Sequence, residues 1–200
     1  MSLGAAGVVS IVIIVVVALT SGGPQKKGPL TLTQVQPVTV VGDRLPAYVM
    51  GSADDAVGLQ VPRIDGSSCG GRPISVKPGK PTMVVVIEPG STGPDDLAQV
   101  TDLVLWHHAE LTPAKLNVVT IVTGPGRATA KEPASTWLVR AEWPWPVLVD
   151  DEAGTAATSL GIVGTPSVLL IDAGGVVRYR SHGVVPAVEI AKSISVLLGV

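Results

Sequence analysis

The sequence predicts an α/β domain in which a central mixed sheet is flanked by helices. Three observations carry this. Residues 83–87, MVVVI, form an unbroken apolar run, as a central parallel strand covered on both faces requires. Residues 94–111 follow with apolar positions at helical spacing, and residues 117–122 return to a second apolar run. This is the strand–helix–strand order of a right-handed crossover. Near the C-terminus, GTPSVLLIDAGGVVRYRSHG (residues 164–183) reads as a hairpin: a strand from Ser167 to Asp172, a Gly174-Gly175 turn, and a strand from Val176 to Arg180.

Taken in order, the chain opens on an apolar segment. Residues 3–19 carry no charge, and residues 11–19 are almost purely Val, Ile and Leu. About 17–20 apolar residues span a bilayer as a helix. A signal peptide would carry a basic stretch before a shorter apolar core and a small-residue cleavage site after it. Neither flank is present, so residues 1–20 are expected to form an uncleaved single-pass transmembrane anchor. Lys26 and Lys27 follow the run and nothing basic precedes it, a slight bias toward a cytoplasmic remainder that the resemblance given below outweighs. Residues 21–46 read as a linker. SGGPQKKGP is rich in Gly, Pro and Lys, and LTLTQVQPVTV alternates like an edge strand but is interrupted by Pro37. The folded domain is then expected over residues 47–200.

Residues 54–80 are rich in Gly and Pro, with little periodicity beyond Ile74-Ser75-Val76. In the helix over 94–111, Leu97, Val100, Leu103, Val104 and Leu111 share one stripe. Pro94 suits its first turn, Asp95 and Asp96 complement the positive end of its dipole, and Ser91 or Thr92 is placed to cap it. A short helix over 133–141, a strand over 147–149 and a helix over 153–160 precede the hairpin, and an amphipathic helix over 186–198 closes the chain.

Composition narrows the function. Two hundred residues suit one domain plus an appendage. The apolar fraction is 46%, aromatics are 3% and Phe is absent, so the core must be built from Val, Leu, Ile and Ala. A net charge of −2 with no block of one sign gives no basis for nucleic-acid binding. No cofactor is expected, and no metal. His107 and His108 are adjacent on a helix, about 100° apart, and do not converge on one ion. Trp143 and Trp145, in EWPWP, either offer an aromatic recognition surface or lid the core before Val147. Arg178 and Arg180 alternate with Val177 and Tyr179 and read as the solvated face of an edge strand.

Thr165-Pro166 directly before an apolar strand, with the hairpin behind it, resembles the cis-proline loop and closing hairpin of thioredoxin-like proteins, especially the membrane-anchored TlpA/ResA (redoxin) branch. The order of elements is similar too, and the resemblance extends over residues 56–200. It implies a thioredoxin-like fold, a cis Thr165-Pro166 bond beside residues 91–94, an extracytoplasmic domain, and thiol-disulfide exchange through a Cys-x-x-Cys pair at the junction of the first central strand and the next helix. Here that junction reads IEPGSTGPDDL. Thr92, Gly93, Pro94 and Asp95 align with the motif, or, one residue earlier, Ser91 and Pro94 fall at the cysteine positions. Neither alignment supplies a thiol, and the acid that assists proton transfer from the preceding strand is replaced by Val85 or Val86. Hydroxyl and carboxylate groups have no two-electron couple to exchange with a disulfide.

Ser91 and Thr92 are not plausible nucleophiles, because the nearest histidines along the chain lie roughly 24 Å down the same helix at about 1.5 Å per residue. Cys69, in GSSCGG, is either an exposed reactive thiol or an inert, part-buried one. No basic residue precedes Arg72 to lower its pKa. The resemblance also implies that the backbone of Thr165, before the cis Pro166, pairs with an extended peptide by strand addition, which needs no cysteine. The expectation is a membrane-tethered thioredoxin-like domain lacking the redox pair. It would bind a partner protein between residues 89–94 and 164–166, as an accessory subunit of a membrane complex. An oxidoreductase working through Cys69 or a partner's thiol is the alternative.

Overall fold

The structure, a computed structural model, describes residues 37–89, 94–109, 111–124 and 134–199. The expected anchor at residues 1–20 lies outside them. No helix among the described residues is long and apolar enough to cross a membrane.

β4 (Thr82–Ile87) occupies the middle of the sheet because all six residues are buried, four of them β-branched aliphatics. It pairs in parallel with β5 (Asn117–Val122) and antiparallel with β7 (Ser167–Ile171). β6 (Val147–Val149) continues the sheet in parallel beyond β5, and β8 (Val177–His182) closes the other side antiparallel to β7. Past β6 lies β2 (Arg63–Ser67), which carries both β1 (Thr39–Val41) and β3 (Pro73–Val76). The strand order is β1-β2-β6-β5-β4-β7-β8, with β3 on β2.

Strand periodicity divides the interior into two cores. Met83, Val85 and Ile87 point to the face covered by α1 (Asp95–His108), α2 (Ala134–Arg140) and α4 (Ala187–Leu198). Val84 and Val86 point to the other face, under α3 (Thr155–Ser159) and the N-terminal segments. Trp143 donates its indole N–H to the Thr120 hydroxyl at 2.9 Å and meets Trp145 edge-on at 4.9 Å between ring centres. Both rings pack against the first core, so of the two readings of EWPWP the structure favours the lid.

Several expectations need correction. Within the segment read as linker, the stretch that alternates like an edge strand contributes the edge strand β1, and Leu45 is buried with its amide donating to the Ser159 carbonyl at 2.9 Å. β2 went unread because only one face of RIDGS is apolar. Ile64 is fully buried, whereas Arg63 and Asp65 pair with each other on the outer face at 2.6 Å. Gly66 in the same strand lets the sheet close on Leu148, whose side chain lies 3.0 Å from where a Cβ would stand.

The stripe on α1 is rotated from the expected one. Leu97 and Leu111 are exposed, while Asp96 and Gln99 are buried beside Val100, Leu103 and Val104. Polar groups turn inward because each finds a partner. The Gln99 amide donates to the Val185 carbonyl at 3.0 Å and accepts from the Val185 N–H at 2.8 Å. Asp102 accepts the N–H of Ala187, capping α4, whose own Pro186 offers no side-chain cap.

Arg180 is the largest departure. The pairing of β7 with β8 slips between Leu170 and Ile171, so that Arg178 is an extra residue, a bulge that breaks simple alternation. Arg178 stays exposed and pairs with Asp172, but the Arg180 side chain is 0% exposed. Its guanidinium donates to both carboxylate oxygens of Asp54, to the Pro46 carbonyl at 2.9 Å and to the Leu160 carbonyl at 2.8 Å. Tyr48 covers it, with its ring centre 5.5 Å from the Arg180 Cζ. Gly161 (φ 66°) makes room for this junction, since a Cβ there would stand 2.1 Å from the Pro46 oxygen.

Candidate functional site at the cis-proline loop

Because β7 runs antiparallel to β4, its first residue sits beside the C-terminal end of β4, with Ser167 opposite Val86. The loop before β7 is therefore delivered to the first turn of α1. The Thr165-Pro166 bond is cis, as the resemblance implies. Three consecutive residues are tied down. The Ser167 hydroxyl donates to the Gly164 carbonyl at 2.8 Å, and the Thr165 hydroxyl donates to an Asp96 oxygen at 3.0 Å. The Gly183 N–H donates to the Pro166 carbonyl, also at 2.8 Å. Gly164 has no space for a side chain, since the His182 ring lies 2.6 Å from its would-be Cβ. The backbone N–H and C=O of Thr165 itself have no partner among the described residues.

Asp96 is the residue that sequence reasoning missed. It is only 4% exposed, and its second oxygen accepts the Glu88 N–H at 3.1 Å. It thereby joins the end of β4, the start of α1 and the loop. Asp95, placed at the second cysteine position by alignment, is exposed, and Pro94 stands at the helix N-cap. Ser91, Thr92 and Gly93 lie outside the described residues. The signal available was the second carboxylate of the Asp95-Asp96 pair, which dipole compensation alone did not require.

No sulfur reaches this site. Cys69 occupies the turn between β2 and β3, and β6 and β5 separate β2 from β4. It is part-buried, and burial pushes its thiol up, opposed by a backbone hydrogen bond. That lowers the thiolate fraction and works against a reactive role. Val85 and Val86 are fully buried in β4 and bring no titratable group. His107 contacts the Thr112 hydroxyl at 3.2 Å and Trp145 edge-on, while His108 faces Glu142 at 3.5 Å. Among the described residues no cluster of His, Cys, Asp and Glu is arranged to hold a metal.

The strand order and the loop together define a thioredoxin-like fold. Solved structures agree. StoA from Bacillus subtilis superposes with a TM-score of 0.55 at 15% identity, covering 70% of this chain and 98% of its own. A putative thiol:disulfide interchange protein DsbE from Chlorobium tepidum gives 0.57 at 20% identity, with coverages of 74% and 100%. A thiol:disulfide interchange protein from Bacteroides sp. gives 0.56 at 16% identity, covering 72% and 91%. At such identities the likeness is one of fold. No protein-family profile matches the sequence, and no curated protein matches it.

Proposed function

We propose that this protein is a membrane-tethered thioredoxin-like domain without a redox pair. In this reading it binds a partner protein through the Thr165 loop as an accessory subunit of a membrane complex. The apolar run over residues 3–19 supports the tether, and the family resemblance supports an extracytoplasmic face. One observation carries the binding role. In a loop whose neighbouring carbonyls are satisfied internally, the N–H and C=O of Thr165 are left for an outside strand. A single cysteine, distant in the sheet order, supports the loss of exchange chemistry.

The test is affinity purification of the full-length chain from detergent-solubilised membranes. A stoichiometric partner is expected with the native chain. Thr165→Pro, which removes the N–H, should reduce its recovery, and Arg178→Ala on the exposed strand face should not. Undiminished recovery by folded Thr165→Pro protein rejects the loop as the binding element. The chain should also stay in the membrane pellet after a carbonate wash.

A further inference from the structure

We propose that Asp96 is the positioning residue of this loop. Its carboxylate, held between the Glu88 amide and the Thr165 hydroxyl, sets the direction of the two Thr165 peptide groups that an added strand would meet. The purpose of this latch rests on the peptide-binding reading above; its mechanism rests on the geometry of the free chain.

Helix-dipole compensation does not account for Asp96. Asp95, one residue earlier and exposed, serves that end without burying a charge. A carboxylate that is 4% exposed persists only where strong donors replace water. Two of its donors come from the end of β4 and from a loop 69 residues away in sequence. Each oxygen of the carboxylate takes one of them, at 3.1 and 3.0 Å.

The effect on the loop follows from the chemistry of threonine. A β-branched side chain is stiff at χ1, so holding the hydroxyl also holds the Cα and the peptide planes on either side. Gly164 and Pro166 are tied through their carbonyls, and Thr165 alone is tied through its side chain. Its backbone is thus fixed in direction while its hydrogen-bonding groups remain available. Were Thr165 held through its own N–H or C=O, the loop would be as rigid but would have nothing to offer a strand.

The experiment is amide hydrogen exchange on the full-length chain, read at Gly183, whose N–H donates to the Pro166 carbonyl and reports opening of the loop. Thr165→Val keeps the shape and removes the hydroxyl; Thr165→Ser keeps the hydroxyl. Exchange at Gly183 should accelerate about tenfold to a hundredfold in Thr165→Val, the span expected for losing a hydrogen bond to a charged group. In Thr165→Ser, which keeps the hydroxyl but lacks the β-branch, it should rise by clearly less than in Thr165→Val. Amides of β4 such as Val84 should keep their protection in both. Asp96→Asn, whose amide can still bridge both neighbours through neutral bonds, should accelerate Gly183 several-fold and serves if Thr165→Val does not fold. Three results overturn the proposal: a native rate at Gly183 in Thr165→Val or Asp96→Asn, an equal acceleration in Thr165→Ser, or a parallel acceleration in β4. The recovery of a partner by Thr165→Pro bears on the binding reading alone, so the two fail separately.

Discussion

Replacing Arg180 with methionine keeps most of the side-chain volume and removes every donor. In the native fold the guanidinium is 0% exposed and Asp54 is 10% exposed, so neither charge regains water when the other is lost. Arg180→Met leaves the Asp54 carboxylate unpaired and strips the Pro46 and Leu160 carbonyls of their donor. Breaking a buried pair by removing one partner costs about 3–5 kcal/mol. For a domain of this size each kcal/mol shifts the melting temperature by about 2–4 °C, so a fall of about 6–20 °C is expected. Arg178→Met is the internal control. Its pair with Asp172 is about half exposed on the arginine side, and such surface pairs contribute about 0.2–1 kcal/mol. Thermal melts of the native chain, both variants and Arg180→Met/Asp54→Leu decide the matter. The double variant should recover part of the loss, because no lone charge remains buried, but not all, because two carbonyls still lack a donor. A shift below about 2 °C in Arg180→Met, equal to that of Arg178→Met, would refute the reasoning.

Glu142 is the one non-glycine residue at positive φ (55°) among the described residues, at the turn that ends α2, so Glu142→Gly should raise the melting temperature by a few degrees despite losing the exposed His108 contact. Asp172, pushed up by partial burial but held below the usual carboxylate range by the Val176 N–H and Arg178 together, contributes stability that is present above about pH 4 and lost as pH falls through its lowered pKa. Asp172→Asn should therefore flatten the acid limb of a stability–pH curve. Asp65, lowered by its Arg63 and Ser75 hydrogen bonds, acts in the same direction, whereas burial raises Asp150 and gives it the opposite slope. Insulin reduction with dithiothreitol should match a protein-free control, and Cys69→Ser should change nothing; turnover lost in Cys69→Ser would restore the oxidoreductase reading.

What the sequence made legible was whatever local pattern determines. The runs that became β4, β5 and β7 are mostly apolar because both faces are covered, and the Gly174-Gly175 turn marks the hairpin without help from the rest of the fold. The Thr165-Pro166 loop was found for the same reason. Arg180 was misread because a bulge at Arg178 changes which residues share a face, and no periodicity announces a bulge. Asp96, Gln99 and Asp102 look like the solvated side of an amphipathic helix until their partners at Thr165, Val185 and Ala187 are known, and those lie 69, 86 and 85 residues away. β2 was hidden by its polar outer face. In the candidate site, then, the loop could be read and its anchor could not.

The same three side chains impose an order on biosynthesis. As the ribosome extends the chain, α1 is made well before the groups at Thr165, Val185 and Ala187 that bond Asp96, Gln99 and Asp102, which follow 69, 86 and 85 residues later. Until then, docking α1 on the sheet would bury a carboxylate and an amide without those partners. β4 is likewise flanked on one side only until β7 has been made. Contacts of such long sequence separation form late because the intervening chain must first be closed into a loop. A nascent chain released before residue 167 thus carries an unsealed first helix and an open edge on its central strand, the features by which quality-control proteases and holdases distinguish an unfinished chain from a finished one.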